Sequence, residues 1–226
     1  MDTRLPSTAH ERRFAFQDLA NLNTGWRDVL HLATRQVYRK GRTVGMGESL
    51  YFLDKGKIRL SHLSLDGMEK ILWYLQDGCL FGETPIFDNC PSSGAFYCSS
   101  ECVVYAFSRQ AFERVSTLRP DLIVNLVRSM AHKMRVLSEQ ASSLFIDSLT
   151  VRTFRFMAQH IVPGTRPLKI DLGIGKQEMA AFLGVHRVSL YKILKDYEEK
   201  GVLSAFSGTE VTILDTGAFF AVLEDS

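Results

Sequence analysis

The chain has 226 residues, 46% of them hydrophobic and 23% charged, with a formal net charge of +2. That composition suits one large or two modest globular domains and excludes a low-complexity or disordered chain. No apolar run approaches the roughly 20 residues that cross a bilayer, and the opening MDTRLPSTAHERRFAF lacks a signal-peptide core, so a cytoplasmic protein without a membrane partner is expected.

Residues 37 to 107 alternate short β-like runs with turn signals. The stretch SLYFLDKGKIRLSHLSLDGMEKILWYLQDGCLFGE predicts strands over 50–53, 57–63 and 69–75, separated by Asp54-Lys55-Gly56 and Asp66-Gly67. A further run, GAFYCSSECVVYAFS, follows a Pro-Ser-Ser loop. Short strands joined by tight turns predict a small antiparallel barrel or roll. Cys79, Cys90, Cys98 and Cys102 fall in this part without a C-x-x-C pair and among apolar residues. They read as reduced, buried thiols rather than a metal site or a disulfide framework.

The period then changes. From Pro120 to about Asp147, apolar or small residues fall at Ile123, Val127, Met130, Met134, Leu137, Ala141 and Leu144. Alternating steps of four and three make a heptad seam, which predicts either a homodimer coiled coil or a helix packed on its own domain. Asp147 and Ser148 are good N-cap residues for a new helix in SLTVRTFRFMAQHI, placing a domain boundary near residue 147. Pro163, Gly164 and Pro167 mark a loop, KQEMAAFLG a short helix closed by Gly184, and GVLSAFSGTEVTILD a hairpin turning at Ser207-Gly208.

Between the short helix and the hairpin lies GVHRVSLYKILKDYEEKGVL. Leu190, Ile193, Leu194 and Tyr197 form its apolar stripe. The opposite face mixes Arg187, Val188, Ser189, Tyr191, Lys192 and Lys195, an odd surface for a helix that meets only water. From Arg152 to Lys195, eight lysines and arginines stand against Asp171 and Glu178 alone. Helix, tight turn, helix and hairpin is the organisation of a winged helix-turn-helix. In it Ala180 allows a close helix crossing, and Leu183, Val185, Leu190 and Ile193 fill a small core. The outer face is then free for a DNA major groove: Arg187 can donate to guanine, Val188 can pack on a thymine methyl, and Ser189, Tyr191 and Lys192 can reach bases or backbone. Lys176 and Gln177, at the start of the preceding helix, are expected to anchor phosphates.

With these segments in their order and spacing, the chain resembles the Crp/Fnr family of bacterial transcription regulators over nearly its full length. The resemblance implies an α+β chain: a cyclic-nucleotide-binding-like antiparallel β-roll sensing an effector (1–119), a long dimerisation helix (120–147), and a C-terminal winged helix-turn-helix (148–226). It also implies a homodimer on double-stranded DNA, with RNA polymerase as a further partner. No nucleophile with an adjacent base, no phosphate-binding glycine loop and no metal-spaced cluster suggests an enzyme.

The effector is where the chain departs from the pattern. Members that respond to cyclic nucleotides follow Phe-Gly-Glu with an Arg-Ser or Arg-Thr pair, whose Arg meets the phosphodiester. This chain keeps Phe81-Gly82-Glu83 but reads Pro91-Ser92-Ser93-Gly94-Ala95 in the matching loop. Cyclic AMP is therefore not the expected effector, although Ser92 and Ser93 could hold an anion. Where the family offers a hydroxyl to adenine, Leu137 favours an apolar or aromatic ligand. Thr84 stands where the carbon-monoxide-sensing members place a haem-ligating His, and no N-terminal cysteine cluster serves an iron-sulfur centre. A haem- or thiol-based sensor remains the alternative, and the effector itself is not identified. Regulators of halorespiration, which bind halogenated phenols, share DG-x-EK-x-L-x-Y, a lysine matching Lys133, and GVH-x-V; there Lys133 would pair with a phenolate or carboxylate.

Overall fold

A computed structural model describes residues 21–224 apart from Asp66 and Ser93. The chain divides into two compact units. One runs to Leu63 and continues over Ile71–Leu137; the other takes Ser64–Lys70 and the chain from Ser138 onward. The division falls inside the long helix, between Leu137 and Ser138.

In the first unit a 3-10 helix, Thr24–Leu32, leads into β1 (Thr34–Tyr38), β2 (Ser49–Lys55), β3 (Ile58–Leu63), β4 (Glu69–Leu75), β5 (Leu80–Phe81), β6 (Ala95–Cys98) and β7 (Cys102–Ser108). Two antiparallel sheets result, in the orders β1-β7-β2-β5 and β4-β3-β6. Strand alternation explains how one sheet serves two cores. Tyr51 and Leu53 point into a cluster with Ile58, Phe81, Phe96 and Val104, while Leu50 and Phe52 point into a cluster with Trp26, Phe107 and Val115. The run from Gly94 to Ser108 forms two strands, β6 and β7, separated by Ser99-Ser100-Glu101. Cys79, Cys98 and Cys102 are buried as expected, but Cys90 is exposed because it follows the β5 strand on a surface loop.

Helix α1 (Arg109–Leu118), capped by the Ser108 hydroxyl accepting from the Ala111 amide at 3.2 Å, was not among the expected elements. Helix α2 (Pro120–Ile146) is the long helix. Its Leu122, Leu126, Ser129, Lys133 and Val136 are buried. Met130 is half-buried and packs against the cluster of Trp26 and Phe107, and Ile123 is half-buried. The exposed apolar line runs through Val124, Val127, Met134, Leu137, Leu144 and Phe145, with Ala141 also exposed. Met130 lies one turn from the buried Leu126 and Lys133, at the edge of that stripe.

In the second unit α3 (Leu149–Ala158) begins at Ser148, whose hydroxyl accepts from the Val151 amide at 3.2 Å. Strands β8 (Ile161–Val162), β9 (Lys169–Asp171) and β10 (Glu210–Thr212) form a small antiparallel sheet around α4 (Lys176–Leu183) and α5 (Arg187–Glu199); α6 (Thr216–Glu224) closes the chain. The expected hairpin at Ser207-Gly208 does turn there, through the bridge of Ser207 to Glu210, but β10 finds its ladder on β9. Phe154 is the centre of the core, with Tyr197 and Phe219 at ring distances of 4.5 and 5.0 Å.

Candidate functional site

The turn between α4 and α5 is built by glycine chemistry. Gly184 adopts φ 68° as the left-handed cap of α4, and a Cβ there would lie 2.8 Å from Cδ of Lys70. The Val185 amide then donates to the Ala180 carbonyl at 3.1 Å, so the chain reverses tightly over the small Ala180. His186 caps α5, its Nδ1 accepting from the Val188 amide at 3.3 Å. Leu190 and Leu194 are buried, and Leu183 with them; Val185 and Ile193 are half-buried.

That anchoring decides what faces out. Arg187, Val188, Ser189, Tyr191 and Lys192 are all exposed, Val188 at 62%. Gln177 is exposed and Lys176 half-buried at the start of α4. The Lys176 ammonium stands 5.4 Å from the Tyr191 ring centroid and 5.6 Å from that of Phe206. The outer face of α5, the start of α4 and the residue before the wing turn therefore meet at one place. Phe206 carried no sequence signal, since it stands outside any periodic run.

The far end of α4 is closed by cations. Lys70 Nζ donates to the Phe182 carbonyl, and Arg152 donates to the Leu183 carbonyl at 3.1 Å. Cations at a helix C-terminus complete its unpaired carbonyls and suit its dipole. Burial, with Arg152 beside it, pulls the Lys70 ammonium down to about 8.

The expected effector residues divide. Phe81 is buried between Tyr51 and Phe96, at ring distances of 5.1 and 5.0 Å. Gly82 adopts φ 87° where a Cβ would lie 2.6 Å from the Tyr51 ring, so no larger residue follows Phe81 without a shift. Lys133 is buried and donates both to the Leu80 carbonyl at 2.7 Å and to the Glu83 carboxylate. Ser92, whose hydroxyl donates to the Gly94 carbonyl at 3.0 Å, lines a cleft of about 510 Å³ with Val44, Met46, Glu48, Pro91 and Phe96. Phe81, Glu83, Lys133 and Leu137 do not line that cleft. Ser93 lies outside the described residues. Leu137 is 36% exposed, on the outward side of α2.

Thr84, exposed at the start of the turn Thr84–Asp88, offers a hydroxyl where a haem would need an imidazole, so the residues there do not fit haem. Burial and the neighbouring Cys102 thiol push Cys98 up to about 12, far from the thiolate character that redox sensing needs.

Residues 35–117 match a cyclic nucleotide-binding domain, and residues 151–219 match a Crp-like helix-turn-helix domain. The cAMP-activated global transcriptional regulator CRP of Pasteurella multocida is 30% identical over 168 residues, spanning 73% of this chain and 80% of that protein. The fold is also that of the c-di-GMP responsive global regulator CLP of Xanthomonas campestris, with a TM-score of 0.75 at 20% identity over 85% of this chain and all of that one. A structure of CprK complexed with OCPA gives a TM-score of 0.72 at 19% identity over 88% of this chain and 93% of that one.

Proposed function

The chain belongs to the Crp/Fnr family of DNA-binding transcription regulators, with an effector-binding domain, and we propose that it acts as a homodimer whose α5 reads an A·T-rich inverted repeat. The observation that carries this reading is the exposed face of Arg187, Val188, Ser189, Tyr191 and Lys192 on a helix whose other side is buried. A valine 62% exposed between cations gains nothing from water, whereas a thymine methyl gives it an apolar contact and a neighbouring guanine gives Arg187 a bidentate acceptor. Two such helices in a dimer address half-sites roughly 34 Å apart, one helical turn. The exposed line of Val127, Met134 and Leu137 on α2 supplies the dimer contact, and RNA polymerase is the partner through which binding acts on transcription.

The effector of this reading is a small organic anion with an apolar or aromatic body, and not cyclic AMP. The loop Pro91-Ser92-Ser93-Gly94-Ala95 carries no guanidinium for a phosphodiester. Lys133 supplies a buried cation at Glu83 instead. An anionic effector competes with the Glu83 carboxylate for that ammonium, and the competition is a direct route from binding to movement of α2.

Fluorescence anisotropy of a labelled inverted-repeat duplex, titrated at several salt concentrations, tests the reading. Affinity is expected to fall linearly with log salt, and Arg187→Ala to cost about 1–3 kcal/mol. Binding that ignores both salt and Arg187 would contradict it.

A further inference from the structure

Helix α4 carries cations at both ends, and only one end follows from helix physics. At its C-terminus Lys70 and Arg152 donate to the Phe182 and Leu183 carbonyls, where positive charge is favourable. At its N-terminus Lys176 occupies the first helical position, beside unpaired backbone amides and the positive end of the dipole. A lysine there works against the helix. Yet its ammonium is held, with Tyr191 at 5.4 Å and Phe206 at 5.6 Å, both within the range where a ring face attracts a cation. Among the described residues this ammonium meets two rings and no carboxylate.

A charge kept where the helix disfavours it, unneutralised and steadied by two aromatic faces, is arranged for an anion from outside. We propose that Tyr191 and Phe206 are positioning residues that hold the Lys176 ammonium for a DNA phosphate, so that the α4 amide terminus and the ammonium meet the same backbone group. The inference rests on the DNA-binding reading and adds to it a role for the wing. Phe206 immediately precedes the Ser207-Gly208 turn, so the wing sets the place of a phosphate contact on α4 without needing to touch DNA there itself. Tyr191 lies one turn beyond Arg187 on the same side of α5, which ties the phosphate contact to the register of the base-reading face.

The test uses the full chain and a labelled duplex of random sequence, with affinity measured against salt. Lys176→Met is expected to lower the salt slope by about one. Phe206→Leu, which keeps apolar volume but removes the ring face, is expected to weaken binding several-fold in the unmodified background and to have no further effect beside Lys176→Met. Phe206→Tyr, which keeps a ring face, is expected to retain binding. Equal effects of Phe206→Leu with and without Lys176 would overturn the proposal, as would an unchanged slope in Lys176→Met. Both outcomes leave DNA binding itself intact. Absence of salt-dependent binding by the unmodified protein would overturn the DNA-binding reading and the positioning role with it.

Discussion

Lys133 and Glu83, fifty residues apart in the chain, form an ion pair inside the sensor domain with side chains only 9% and 16% exposed. The lysine also donates to the Leu80 carbonyl at 2.7 Å, so the pair ties the long helix to the strand that carries Phe81. Two charges removed from water are tolerable only together. Replacing Lys133 with Met should leave the Glu83 carboxylate uncompensated and cost about 3–5 kcal/mol of sensor-domain stability, whereas adding Glu83→Leu should recover most of that loss. Urea unfolding of the single and double variants reads the difference. Equal stability of the single variant and the unmodified chain would show that the pair is not buried in solution.

Calorimetry with cyclic AMP should show no micromolar binding that also tightens DNA binding, because the matching loop lacks the arginine fork. A small aromatic carboxylate or phenolate is expected to bind more tightly than cyclic AMP, and Lys133→Met to abolish that preference. Tight cyclic AMP binding coupled to DNA affinity would refute the anionic-effector reading.

The exposed line on α2 predicts a dimer. Met134 is 70% exposed, so Met134→Glu leaves the folded protomer nearly unaffected, yet it would bury a charge between two copies and cost several kcal/mol of association, of the order of about 3–5 for an unpaired buried charge. Light scattering at low concentration should then report protomers. Persistence of the dimer would move the seam to another face.

Stability should rise with pH in the window set by Lys70. Its ammonium titrates at about 8 in the folded chain, through burial first and Arg152 second, against an ordinary 10.5. Below about pH 8 the lysine is protonated both folded and unfolded, and the cost of burying the charge is fully present. Between those values the unfolded chain binds more protons, so stability increases with pH, and it levels off above the unfolded value. Denaturant unfolding across the window, compared with Lys70→Met, isolates this group. The variant should lack the slope; an identical slope in both would assign the titration elsewhere.

Much of this was legible in the chain itself. The stripe of Leu190 and Leu194, the Gly184 cap, the Ser148 cap and the turns at Gly56 and Gly208 are local signals, and local chemistry decides them. What escaped was set by tertiary packing. Met130 belongs to the heptad by spacing and also packs against the cluster of Trp26 and Phe107, a contact that spacing does not encode. The Lys133 and Glu83 pair joins strand and helix across a long loop closure, which no periodicity encodes. Phe206 finds Lys176 only because the wing folds back on α4. Helix α1 was legible as well, since Ser108 is a good cap and Ala111, Phe112 and Val115 fall at helical spacing on its inner side. Nor does spacing encode that Ser92 lines a cleft which Phe81, Glu83 and Lys133 do not.

The central claim, that the outer face of α5 reads base pairs, is tested most directly by binding selection on random DNA with the unmodified chain and Val188→Glu. Valine packs on a thymine methyl, while glutamate accepts from a cytosine amine, so the preferred base should change at one symmetric position and nowhere else. Lys176→Ala, as a phosphate-contact variant, should weaken all sequences about equally. A selected site that is the same for Val188 and Val188→Glu would contradict the account, because the exposed face would then not be the one that reads DNA.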